Sequence, residues 1–200
     1  MDLVDAIRTR RSVRGLQGPP LAADEVRALV ALALVAPAPH HTRPWRFVHV
    51  CPETREALAG AMGNAWQQDM QRDGVPAEQQ ARALARSRRQ LLEAPTLLLG
   101  CIVGEGLRTW PDDRRDRAEW TMAAHSFGAA LQNLLLGAHD RGLAAYWISA
   151  PLYAQDAVRA ALNLDAGWRP QACIALGHRT EAYAPFPRPE PDLEGSFIER

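Results

Sequence analysis

From Glu119 to Asp140 the chain places Trp120, Ala124, Phe127, Leu131, Leu134, Leu135 and Ala138 on one side of a helical wheel. Met122, Ala129, Ala130 and Leu136 fall on the other side. A helix that is apolar almost all round leaves no face for water and has to be a central, buried one. Gly142 marks its end. The run Thr96 to Val103 (TLLLGCIV) is continuously apolar between Pro95 and Gly104, the pattern of a strand covered on both faces. A buried helix and a doubly covered strand together demand a substantial core, and 200 residues with 47% hydrophobic content supply one. The sequence is read as a single domain over 1–200.

The other elements fit around these two. Residues 22–35 carry Val26, Leu29, Val30 and Ala33 at helical spacing with Asp24 and Glu25 in the first turn, and Pro37 ends the helix. Arg46 to Cys51 (RFVHVC) reads as a strand, and Pro52-Glu53 opens the next helix. Two helices follow, 51–72 and 77–92, parted at Asp73-Gly74. Residues 144–149 (AAYWIS) and 172–177 (ACIALG) read as strands with a short helix, 155–162, between them. The alternation of Asp112, Asp113 and Asp116 with Arg114, Arg115 and Arg117 reads as a solvated loop. Long helical intervals between the strands favour an α+β, three-layer arrangement over a simple βαβ chain. The proline-rich end, with Pro185, Pro187, Pro189 and Pro191, should be extended.

Composition removes several function classes. The 23 basic and 23 acidic residues cancel, so nothing electrostatic favours a nucleic acid or an anionic membrane as partner. Every basic residue is Arg, which excludes lysine chemistry and makes any cationic contact a guanidinium. Cys51, Cys101 and Cys173 are scattered and odd in number, which argues against a disulfide framework and fits a reducing cytoplasm. The charged start, Met1 to Arg14, has no apolar signal segment. No GxSxG, Walker or GxGxxG motif is present, and no nucleophile and base pair stands out, so no catalytic side chain is assigned.

Two clusters could hold a ligand. Arg8, Arg10, Arg11 and Arg14, with Ser12 among them, bring guanidiniums close enough to repel one another unless an anion sits between them. A phosphate monoester suits that donor set, and a solvated basic helix end is the plainer alternative. The second cluster is Ala36 to Trp45 (APAPHHTRPW), a proline-stiffened loop offering His40, His41, Thr42 and Arg43. Adjacent histidines rarely converge on one ion and no further ligand is spaced for zinc, so the expectation is no metal and a hydrogen-bonding role toward a heteroaromatic ring. His125 and His139 read as hydrogen-bonded core or capping residues and His178 as a surface residue. Trp120, Trp147 and Trp168 read as core or interface anchors whose indole N–H finds a partner.

The succession RRSVR, APAPHHTRPWRFVHV, LQNLLLGAHDRGLAAYWIS and ACIALGHR resembles the FMN-dependent nitroreductase family over nearly the whole chain. The APAPHHTRP loop is more similar still to the C-terminal, flavin-binding domain of actinobacterial F420 γ-glutamyl ligases. The resemblance implies a mostly antiparallel central sheet flanked by helices, in an intertwined homodimer whose C-terminal arm, about 184–200, reaches across the partner. It implies FMN held by Arg10, Arg11, Ser12, Arg14, Ala38, Pro39, His41, Ser149 and Arg188, and a substrate met by His40, Trp66 and Asp69. The implied activity is hydride transfer through flavin N5 to coenzyme F420, its dehydro precursor or a related conjugated or nitro compound, with NAD(P)H as a candidate reductant. An F420- or flavin-binding module without turnover is the alternative.

Overall fold

The protein is described from a computed structural model covering residues 1–184 and 186–200; Pro185, one of the four tail prolines, lies outside the described residues. In chain order the elements are α1 (Leu3–Thr9), β1 (Leu16–Gln17), α2 (Ala23–Leu34), a 3₁₀ turn (Pro39–His41), β2 (Trp45–His49), α3 (Pro52–Arg72), α4 (Ala77–Leu92) and β3 (Thr96–Val103). Then come α5 (Asp113–Asp140), β4 (Ala144–Ile148), a second 3₁₀ turn (Ala150–Tyr153), α6 (Gln155–Leu162) and β5 (Trp168–Arg179).

All strand pairings are antiparallel: β5 pairs with β1, β3 and β4, and β3 also pairs with β2. The strand residues alternate between two cores, as the two-residue period of a strand requires. Leu98, Ile102, Ile174 and Leu176 face α2 and α5, while Leu97, Leu99, Cys101 and Cys173 face the core built with α3, α4 and α6. The continuous apolar run of β3 is thus buried at every position, and the expected α+β, three-layer arrangement of an antiparallel sheet between helices is what forms. Burial in this second core pushes the Cys101 and Cys173 thiols up to about 12.

Close approach marks two glycines. A Cβ on Gly100 would lie 2.6 Å from Phe127 Cζ in the packed core, so the sheet presses α5 closely there, while one on Gly137 would oblige the Leu32 side chain of α2 to turn aside.

Four expectations are corrected. The 112–117 segment is not a loop: Asp112 caps α5 by accepting the Arg115 N–H at 3.0 Å, and the acidic residues sit at the helix N-terminus, where the dipole favours them. The last strand runs from 168 rather than 172, because a register shift opposite Gly100 and Cys101 admits Pro170, which a regular ladder would reject. Only one face of α5 is fully buried, through Ala123, Phe127, Ala130, Leu131, Leu134, Leu135 and Ala138, whereas Met122 and Ala124 are exposed. His125 is exposed too, with no hydrogen-bond partner among the described residues. His178 is exposed as expected. Trp120 packs against the core on the α2–α5 side, as expected, and also serves as a platform, with the Arg169 guanidinium 3.2 Å from its ring centroid. Among the described residues, no helix is long and apolar enough to cross a membrane.

Candidate functional site

The arginine-rich segment leaves α1 at Arg10 and is tied down by its backbone. Val13 N donates to Ala145 O of β4 at 3.1 Å, Thr180 N donates to Gly15 O at 3.0 Å, and the Tyr183 hydroxyl donates to Ser12 O at 2.8 Å. The side chains are left for other work. Arg188 of the tail folds back on the segment and donates to Ile7 O and Arg10 O at 3.4 and 3.0 Å. Arg11 donates to Arg8 O at 2.7 Å. The Arg10 guanidinium and the Ser12 hydroxyl have no hydrogen-bond partner among the described residues. Burial, then the charges of Arg188 and Arg11, hold the Arg10 guanidinium below its ordinary value. The neighbouring Asp140 is taken by the chain's amino terminus at 2.9 Å. His139, hydrogen-bonded to the Thr9 hydroxyl at 2.8 Å, is pushed down by burial, Arg10 and Arg11 against the opposing pull of Asp140.

Arg14 turns the other way, its guanidinium carbon 5.9 Å from the Tyr146 ring. It lines a cavity of about 410 Å³ with Trp66, Arg86, Ser87, Gln90 and Trp147. Trp66, Ser87 and Ala150 are shared with a second cavity of about 420 Å³ that also takes in Asp69, Ser149 and Tyr153. Arg14, Trp66, Asp69 and Ser149 are therefore brought onto one groove, of the size that small organic ligands fill. Asp69 is also paired with Arg72 one turn on. Sequence reasoning missed Arg86, Ser87 and Gln90, although three polar residues at i, i+1 and i+4 on an otherwise amphipathic helix were a readable stripe.

The proline-histidine loop stands elsewhere. Ala38 is half-buried and Pro39 buried, while His40, His41 and Arg43 take left-handed φ values of 50°, 59° and 53°. Each such non-glycine residue costs about 1–2 kcal/mol, so something must hold them. The Thr42 hydroxyl donates to Pro39 O at 2.7 Å and closes the turn. His40 Nε2 meets Glu119 Oε1 at 2.9 Å, and the same carboxylate accepts from Arg108 N at 3.0 Å and Trp110 Nε1 at 3.2 Å. Burial by itself would raise the Glu119 carboxyl, but the hydrogen bonds from Arg108, Trp110 and His40 outweigh it and hold the group below its ordinary value. His40, expected to meet a substrate, thus commits Nε2 to Glu119 and keeps Nδ1 for other contacts, and His41 is exposed. Sequence reasoning gave Glu119 no role, because nothing local in AEWTM distinguishes a buried carboxylate from a surface one.

Glu119 and His139 lie twenty residues apart on α5, about 30 Å at 1.5 Å per residue. The Arg-Ser segment adjoins one end and the histidine loop the other, so within one chain they do not form a single pocket. The two grooves that Arg14 lines contain no residue of the 36–45 loop.

The donor set of Arg10, Arg11, Ser12 and Arg188 suits a phosphoryl group: forked cations and one hydroxyl, with no salt bridge to any of the three arginines among the described residues. The groove that Arg14, four residues on from Arg10, shares with Trp66, Tyr146, Trp147 and, through the second cavity, Tyr153 suits a flat ring. The residues present therefore fit FMN.

A model of the nitroreductase family matches residues 7–178. The 5,6-dimethylbenzimidazole synthase of Rhodospirillum rubrum is 29% identical, over 96% of this chain and 87% of its own length. Among solved structures, a BluB-like flavoprotein from Clostridium difficile superposes with a TM-score of 0.80 at 23% identity, covering 100% of each chain. A protein described as a nitroreductase in complex with FMN, from Desulfovibrio desulfuricans, gives a TM-score of 0.74 at 23% identity, over 100% of this chain and 97% of its own.

Proposed function

The chain belongs to the nitroreductase family and with it to the FMN-dependent oxidoreductases, and from that premise we propose that it reduces coenzyme F420, its dehydro precursor or a related conjugated or nitro compound, as a homodimer with NAD(P)H as reductant. Bound FMN supplies the redox chemistry by taking and giving hydride at N5. Arg10, Arg11, Ser12 and Arg188 hold its phosphoryl group, and Arg14 and Ser149 border the ring from the same chain. The observation that carries this reading is the gathering of Arg10, Arg11 and Arg188, none of them in a salt bridge among the described residues. Trp66 and Asp69, on the adjoining groove, meet the substrate.

Ala38, Pro39 and His41 reach a ring only if it belongs to a second copy, since the length of α5 separates them from their own Arg-Ser segment. Two further features support a dimer: the exposed side of α5 around Met122, and the tail, where Phe186, Leu193, Phe197 and Ile198 are each at least 66% exposed. Apolar side chains that open to water in one chain are what an arm laid across a partner would cover.

Purified protein should be yellow, release FMN on denaturation, bleach on reduction and scatter light as a dimer. A colourless monomer that FMN does not reconstitute overturns the reading. Reduced protein titrated with F420, its dehydro precursor and a nitroaromatic identifies the acceptor as the one that restores flavin absorbance. Stoichiometric uptake of F420 with no reoxidation by any acceptor identifies a binding module instead.

A further inference from the structure

We propose that Glu119 is a positioning residue for the ring-facing loop: through His40 it sets both the left-handed turn at 40–41 and the face that the His40 imidazole offers a ligand. What the loop faces rests on the flavin reading above; how the loop is held does not.

The His40–Glu119 contact is, among the described residues, the one side-chain hydrogen bond from residues 38–43 to anything outside the turn. Other bonds close the turn on itself, through Thr42 and the backbone of Ala38 and Pro39. Histidine enters the left-handed region more readily than most residues, but two in succession still cost energy that an outside anchor offsets. Glu119 is itself immobilised: 4% exposed, on the longest helix, with Arg108 N donating to the same Oε1 that meets His40 and Trp110 Nε1 donating to Oε2. That is a carboxylate held on two sides so that its third contact has one direction.

The chemistry of the pair follows from what each group can do. An ionised carboxylate only accepts, so the His40 nitrogen facing it carries the hydrogen. The neutral ring then presents Nδ1 as an acceptor, and donates from Nδ1 only when doubly protonated. A carboxylate that selects the tautomer and aim of a histidine in this way is the arrangement that orients imidazoles in metal and acid-base sites. Here it fixes which nitrogen the loop turns outward, and with it the placement of His41 next in the chain.

The test compares wild type, Glu119→Gln, His40→Gln and His40→Ala. Ring-nitrogen NMR of the apoprotein should find the His40 proton on Nε2 in wild type and a mixture of tautomers in E119Q. FMN affinity should fall about tenfold in E119Q and in H40A, and H40Q, whose amide can still donate to Glu119, should recover most of the loss. A wild-type Nδ1–H tautomer overturns the proposal, and that readout needs no flavin. It also fails if E119Q keeps FMN affinity within twofold and changes only the melting temperature, for Glu119 would then be packing alone. Should E119Q not fold, equal FMN affinities for H40Q and H40A overturn it. Wild type that binds no FMN defeats the flavin reading and leaves the tautomer to decide the anchor.

Discussion

At the C-terminal end of α5 the guanidiniums of Arg10, Arg11 and Arg188 gather without a salt bridge among the described residues, whereas at its N-terminal end one buried carboxylate, Glu119, collects three donors. The first arrangement is incomplete without a ligand. The second is complete within the chain and is used to hold a strained turn. A site that must grip an anion keeps its cations unpaired and accepts their mutual repulsion, while a site that must present a surface satisfies its polar groups in advance and stores strain in the backbone.

The largest expected effect strips the unpaired end. Replacing Arg10 and Ser12 together by Ala removes two charge-assisted donors, worth about 1.5–3 kcal/mol each, so FMN affinity measured by fluorescence titration should fall at least about a hundredfold. The apoprotein's melting temperature should hold or rise, since a half-buried like charge has gone; a marked fall in thermal stability with unchanged FMN affinity would erase the contrast between the ends. A smaller effect comes from the paired end. Trp110→Phe deletes one donor to Glu119 and should destabilise the protein by about 1–2 kcal/mol in urea unfolding, leaving the Arg10 end's affinity for phosphate untouched.

The smallest effects are in pH dependence, and they fall in separate windows. His139 is depressed in the folded protein, so the unfolded chain takes up its proton first and stability falls as pH drops below the ordinary value of 6.5. Glu119 is also depressed, so its contribution is present above its ordinary value of 4.5 and is lost as pH falls through the lower folded value. His139→Gln should flatten the first slope and Glu119→Gln the second, as read from melting temperatures across pH 3–8. Inorganic phosphate should weaken the His139 slope alone, because an anion among Arg10 and Arg11 offsets the charges that depress it.

Much of this was legible locally. The β3 run announced its double burial, the spacing of α2, α4 and α6 gave helices close to those observed, and the RRSVR cluster announced a cationic corner. The misses share one cause, which is that their partners are distant in sequence. Residues 112–117 read as a loop because their cap and dipole matter only once α5 exists. Arg169, Pro170 and Gln171 look unlike a strand, and are accepted because β3 shifts register opposite them. Trp66, Asp69 and Ser149 were chosen by resemblance, while Arg86, Ser87 and Gln90 on the same groove were passed over, since which face of α4 borders a cavity is settled by α3 and β4.

The sequence by itself determined the elements, the two-sided core and the chemical character of each cluster, because hydrophobic period, caps and charge are properties of neighbours along the chain. Only the tertiary structure decided that the arginines lie at one end of α5 and the histidine loop at the other, that Arg188 returns to Arg10, and that Glu119 is an anchor. These depend on contacts spanning up to 181 residues, and no local pattern encodes a distance that the rest of the fold must first bring close.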